Sequence, residues 1–368
     1  MTSSSLFDIS AGCYIAAVIT YVIYLVTRNR TVGIVATSVT IFGFVSQTIA
    51  LGIRWVNSYY FWMGANTSSG LVEAILRGAP LRNLYESLIF FVWCTIMIHL
   101  IIEFKYKNRS LGAFVTPIAA LALLFIDVSG VTKEIEPLIP ALQSNWLLFH
   151  VFLSFIGYAA FAVSFGAASA YLVMVTESKK EKTYIFWSII SGIFLLVLVG
   201  MAIDYLGLSA PQRGEYVQNY FLKSTVRSSS SAAVVVSWIV SLLVIIGVWR
   251  FGLGLKKVFT SLNLTPDMLD EIAYKSIAIG FPLFTIGGLI MGAIWANSAW
   301  GKYWTWDPKE TWSLITWFVY ALYLHARFVG GWRGKRVAIL SVVGFIAVIF
   351  TYLGVNLVLS GLHAYGSG

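Results

Sequence analysis

The chain has four histidines, His99, His150, His325 and His363, and each falls in or at the end of a long apolar run. Neutral imidazole in such surroundings suits haem iron, which takes it as an axial ligand. Zinc would need further Cys, Asp or Glu ligands, and none stands near these histidines at ligand spacing. The two cysteines, Cys13 and Cys94, lie inside apolar runs without a CxxC and are expected to be buried thiols. A second feature is the segment WGKYWTWDPKETW at residues 300–312. Together with Trp295 and Trp317 it places six of the fourteen tryptophans within 23 positions. A membrane-interface belt accounts for scattered Trp and Tyr. This density suits one large flat ligand, with indole faces against a macrocycle and N–H groups turned to its polar edges. Trp295, Trp300, Trp304, Trp306 and Trp312 are the candidate contacts.

Local signals also position the segment. Asp307 has the place of an N-cap, with Pro308 at the first helical position and Glu310 at the third, so a helix is predicted to start here. Were the residues before it helical, Trp300 and Trp304, four apart, would share one face.

The elements that must carry these residues are membrane spans. The chain is 58% hydrophobic and 11% charged, against about 25% charged in soluble domains, and no polar stretch is long enough for a separate soluble domain. Ten apolar runs approach the ~20 residues a spanning helix needs: 10–27, 33–53, 84–104, 112–128, 146–176, 185–203, 232–250, 274–297, 308–328 and 337–360. The reading is an all-α polytopic bundle, residues 1–368 forming one membrane domain. The N-terminus lacks the basic region and cleavage site of a signal peptide, so the first run is expected to be retained. Connections on one side hold 16 Lys and Arg, those on the other 9. The short basic loops RNR, KYKNR, SKKEK and GGWRGKR set the first group in the cytoplasm. Both termini and the tryptophan segment are then outside, and the net charge of +9 needs no nucleic-acid partner.

With that orientation the histidines fall into two depth-matched pairs. His150 opens the fifth span and His363 follows the tenth, both near the outer surface. His99 is about 15 and His325 about 17 residues into their spans, roughly 23–26 Å down at 1.5 Å per residue. The plain alternatives are an i,i+4 pairing of His99 with Glu103, an interfacial His325 beside Arg327, and hydrogen-bonding roles for the outer two. Two bis-histidine haem sites account for all four at once. Carboxylates near the spans (Glu86, Glu103, Asp127, Asp204) sit at span ends, which argues against an ion-coupled transporter. A di-haem cytochrome b-like quinol oxidoreductase would place two ligands on each of two helices, whereas here every histidine has its own span.

At these residues the chain resembles a known family. WANSAWGKYWTWDPKETWSLITW is similar to the WWD signature of haem-handling proteins, and specifically to the CcsA (ResC) branch of System II cytochrome c biogenesis. The likeness continues through YLHAR, GWRGK and YLGVNLVLSGLHAYG, and upstream through NLYESLIFFVW and PALQSNWLLFHV, roughly half the chain. It implies transport of haem b across a bacterial cytoplasmic membrane and its attachment to apocytochrome c at CxxCH, as part of a holocytochrome c synthase. The implied partners are a CcsB (ResB)-like membrane protein and a thioredoxin-like thiol reductant. By motif, His150 and His363 match the external haem ligands, His99 and His325 the intramembrane ones, and Asp307 with the tryptophans of 295–317 the WWD segment. Against shorter eight-span members, residues 185–250 look like an inserted helical hairpin.

Overall fold

The computed structural model describes residues 3–65, 75–76, 78–81, 83–129, 131–135, 144–193, 231–260 and 264–355. They form ten helices and no strand among the described residues. In chain order these are α1 (Ser3–Thr27), α2 (Arg30–Ala65), α3 (Leu84–Tyr106), α4 (Gly112–Ser129), α5 (Asn145–Val175), α6 (182–193), α7 (Ser231–Thr260), α8 (Pro266–Trp300), α9 (Pro308–Phe328) and α10 (Lys335–Gly354). Each falls on one of the ten apolar runs, as far as the described residues reach. Six of them (α1, α2, α3, α5, α8 and α10) are long and apolar enough to cross a membrane, so the chain is a polytopic helical membrane protein. His363, Asp204 and the second half of the expected sixth span lie outside the described residues.

α5 is the hub, packing against α3, α4, α7, α8 and α10, while α1 lies along α2 and α4. Lipid gives helices no hydrophobic reason to associate, so close approach depends on small side chains. α5 supplies them in the run from Gly157 to Ala170, where Ala159, Ala160, Ala162, Ser164, Gly166, Ala167 and Ala168 are all buried. Opposite stands Gly280 of α8: a Cβ there would lie 2.9 Å from that of Ala160, and one on Gly157 only 3.1 Å from the Gly280 carbonyl. Ser164 donates to the Ala273 carbonyl at 3.1 Å and its oxygen lies 2.8 Å from the Ser341 hydroxyl, so α8, α5 and α10 share one polar contact inside the bundle. Phe161 stacks on Tyr320 of α9 with ring centres 3.7 Å apart.

Capping residues set the helix ends. Asn83, Ser144 and Thr265 each accept a backbone N–H from the first turn of α3, α5 and α8, as N-caps do. Thr265 followed by Pro266 starts α8 eight residues before the apolar run at 274, a polar first turn that hydropathy alone passes over. At its far end α8 stops at Gly301, which takes the left-handed conformation (φ 72°) of a C-terminal glycine. Outside the spans, Glu181 accepts N–H bonds from Glu177 and Ser178 and pairs with Lys335 at 2.6 Å. The Lys335 ammonium and those N–H groups hold its carboxyl down to about 2, and they tie the start of α6 to the start of α10.

Candidate functional site

His150 lies in the second turn of α5 against α8, where α8 changes pitch. Pro282 removes one helical N–H, and Thr285–Met291 form a π-helical turn, a widening often found at functional positions. The Gly287 carbonyl of that turn lies 2.8 Å from His150 Nδ1. A carbonyl only accepts, so Nδ1 is the protonated nitrogen and the neutral ring carries its lone pair on Nε2. A backbone carbonyl behind one ring nitrogen is a support that metal-bound imidazoles commonly have. The ring is oriented further by Trp295, which lies parallel to it at 9° and 6.0 Å. Two glycines make this possible. A Cβ on Gly292 would come within 2.9 Å of the imidazole, and one on Gly287 within 2.4 Å of Leu153 Cβ.

Trp295 is buried inside α8 and meets Trp300 edge to face at 6.0 Å. Residues 301–307 are not helical, so Trp300 and Trp304 do not share a helix face; Gly301 ends the helix between them. The predicted start of α9 is present in full: the Asp307 side chain accepts from Lys309 N, and Glu310 reaches back to the Asp307 N–H at 3.3 Å. Glu310 also accepts the Thr305 N–H at 2.7 Å. One carboxylate therefore grips the chain on both sides of Trp306. That grip explains how Trp306 keeps a positive φ of 59°, a conformation a bulky residue adopts at a cost of about 1–3 kcal/mol. Its side chain is 69% exposed and stands edge-on to Trp304 at 5.8 Å. Trp304 is turned the other way, with its Nε1 buried and without a hydrogen-bond partner.

Beneath the segment four helices converge. Trp312 of α9 packs on Phe350 of α10 at 4.1 Å. Phe350 opens a second π-helical turn, Phe350–Gly354, whose Tyr352 meets Phe155 of α5 at 5.0 Å and shares a hydrogen bond with Ser87 of α3. The Lys309 ammonium lies 5.8 Å above the Tyr352 ring. Both π-helical turns are bonded to α9, Thr285 accepting from Trp317 and Thr351 donating to the Trp312 carbonyl.

His99 is fully buried between α3, α1 and α2. Its Nε2 is 3.3 Å from Glu103 Oε2 and 3.4 Å from the Tyr21 oxygen, and Tyr21 meets the ring edge to face at 5.7 Å. The i,i+4 pairing with Glu103 is therefore present, while Nδ1 is buried without a hydrogen-bond partner. His325 is exposed on α9, on the face that also bears Phe318 and Leu322. Among the described residues no hydrogen bond or ring contact joins His99 to His325, so the structure does not bring this pair together.

Sequence reasoning passed over several residues here. Gly287 contributes a carbonyl, which no side-chain motif announces; the Pro282 and the four glycines between 280 and 292 were the available signal. Tyr21, Thr37 and Arg109 surround Glu103, and Arg54 pairs with Glu86, all through contacts distant in the chain.

With this geometry in view, the comparisons are consistent in direction. Residues 81–363 match the family model of the cytochrome c assembly protein. The chain is 36% identical over 333 residues to the cytochrome c biogenesis protein CcsA of Pyropia yezoensis, covering 90% of this chain and 86% of that one. It is 37% identical over 328 residues to CcsA of Gloeobacter violaceus, with 88% and 83% covered. To CcsA of Synechococcus elongatus it is 38% identical over 329 residues, with 86% and 82% covered.

Proposed function

The chain belongs to the CcsA family of cytochrome c biogenesis proteins, and from that premise we propose that it receives haem b as cargo, carries it across the membrane and presents it for attachment to apocytochrome c. The observation that carries this reading is the setting of His150, with Nδ1–H bonded to the Gly287 carbonyl and the ring parallel to Trp295; Nε2 is the atom proposed to ligate iron. His363 is its proposed partner, and Trp300, Trp304, Trp306 and Trp312, beside the Asp307 cap, form the proposed apolar bed. His99 and His325 form the proposed earlier site on the cytoplasmic side.

At the outer site the chain's groups bind and orient; they supply no nucleophile. Apocytochrome c brings the thiols of CxxCH. Each S–H adds across a haem vinyl group, forming a C–S bond while the proton passes to the neighbouring vinyl carbon. The cytochrome's own histidine takes the place of one external ligand. A CcsB (ResB)-like membrane protein is the proposed partner in this synthase, with a thioredoxin-like reductant keeping the thiols reduced. Residues 185–250 are proposed as a hairpin inserted into the haem-handling core.

The proposed membrane is a bacterial cytoplasmic membrane, with the tryptophan segment and both termini outside, as the basic loops argue. A topology reporter fused after Gly368 is expected to be active only in its externally active form. Activity of a cytoplasmic reporter there would invert the route. The function itself is tested on purified protein. The expected result is a labile b-type, six-coordinate haem spectrum together with co-purification of a CcsB-like protein. Haem reduced by quinol in steady turnover would instead support a di-haem quinol oxidoreductase. Absence of haem from protein made in haem-replete cells would leave a transporter of another hydrophobic solute.

A further inference from the structure

The surroundings of His99 carry more than the pairing of one histidine with one carboxylate. Glu103 is buried, and both of its oxygens are engaged. Oε2 accepts the Tyr21 hydroxyl at 2.6 Å and faces His99 Nε2; Oε1 accepts the Thr37 hydroxyl at 2.5 Å and lies 3.8 Å from the Arg109 guanidinium. Arg109 Nε in turn donates to the Thr37 oxygen at 3.0 Å, so its charge is relayed to Glu103 through that hydroxyl. The protons can be assigned from these partners. The Tyr21 proton is spent on Glu103, which leaves its oxygen as an acceptor 3.4 Å from His99 Nε2. Nε2 therefore faces two acceptors, a carboxylate and a phenol oxygen, and must be the protonated nitrogen. The lone pair is left on Nδ1, the buried atom without a hydrogen-bond partner.

We propose that Glu103, assisted by Tyr21, is the positioning residue of the deep site: it fixes the His99 tautomer with the proton on Nε2 and assigns Nδ1 as the iron-ligating nitrogen. This rests on the reading of His99 as a haem ligand. It makes the two sites opposite in tautomer, since at His150 the Gly287 carbonyl holds the proton on Nδ1. The chemistry is suited to a transfer site. A carboxylate behind the imidazole raises its basicity as a ligand, and the full cover over His99 means that iron reaches Nδ1 only once neighbouring side chains move aside. Thr37 and Arg109, from α2 and the turn after α3, hold Glu103 in place and so act on the iron at third hand.

The test has one arm without haem and one with it. Haem-free protein labelled with 15N-histidine is studied by solid-state NMR, with the His99 signals assigned by their loss in His99→Ala. The expected result is a protonated Nε2 and an unprotonated Nδ1 in the wild type. In Glu103→Leu the single tautomer is lost; Glu103→Gln, whose amide oxygen still accepts, retains it in part; Tyr21→Phe shows a smaller mixture. Should Glu103→Leu fail to accumulate, the other two decide. A protonated Nδ1 in the wild type, or a tautomer unchanged in every variant that folds, overturns the proposal. In the second arm haem affinity is measured in a His150→Ala background. Loss of the positioning carboxylate is expected to weaken it about 10–100-fold, with Glu103→Gln between. If the tautomer shifts as expected but His99→Ala binds haem like its parent, the haem reading of the deep site fails and the positioning of His99 stands.

Discussion

Replacing His150 with alanine is expected to lower haem retention at the outer site by well over tenfold and to abolish cytochrome c maturation. Millimolar imidazole is expected to restore part of both. The size of the effect follows from what is lost. Removing a group that merely supports a ligating histidine costs about 10–100-fold in affinity, and here the proposed ligand itself goes, which would leave the iron an open position. The rescue separates ligation from structure. His150 also joins α5 to α8 through the 2.8 Å bond to Gly287, so alanine removes a helix–helix contact as well. Soluble imidazole can fill a coordination position and regenerate a six-coordinate spectrum, but it cannot rejoin two helices. His363→Ala is expected to behave alike, as the second proposed external ligand. Maturation lost in His150→Ala with no spectral or functional response to imidazole would reduce His150 to a structural contact. Full haem content without imidazole would remove it from the site altogether.

What the sequence made legible was whatever is encoded locally. Apolar run length gave the ten helices of the described residues, six of them long and apolar enough to cross a membrane, because a span must hide its backbone polar groups inside itself. The start of α9 was legible to the residue, since Asp307, Pro308 and Glu310 act on backbone groups within one turn. The parallel placement of His150 and Trp295 was not, because it depends on a π-helical turn and on two glycines that let α8 come close to α5. Trp300 and Trp304 illustrate the same limit. Their spacing of four suggested a shared face, and Gly301, adopting φ 72°, broke the helix between them. Glu103 was visible as a partner of His99 one turn away. Its other partners Tyr21, Thr37 and Arg109 come from α1, α2 and a turn, and only packing brings them together.

A second large effect is expected far from any histidine, at Arg54 and Glu86. These two form an ion pair of 2.8 Å with 3% and 2% of their side chains exposed. Arg54 also donates to the Lys133 carbonyl at 2.8 Å and the Glu134 carbonyl at 3.2 Å, and its guanidinium lies 4.9 Å above the Tyr85 ring. One side chain thus fastens α2, the first turn of α3 and the segment before α5. Arg54→Leu leaves the Glu86 carboxylate buried without its guanidinium, which costs about 3–5 kcal/mol in such settings. Folded protein in the membrane should fall sharply, with an earlier thermal transition in detergent. Exchanging both charges for apolar groups is often close to neutral, so the double variant Arg54→Leu, Glu86→Leu is expected to recover most of that loss. If the double variant is no more stable than Arg54→Leu, the cost lies in the carbonyl bonds of Arg54 rather than in an uncompensated charge. Recovery of stability need not bring recovery of maturation. Ser87, next to Glu86, holds Tyr352 in the π-helical turn of α10, and α10 leads on to His363. A restored fold with impaired maturation would mean that the clasp is kept for the placement of that turn, and a double variant restored in both would mean that it serves stability alone.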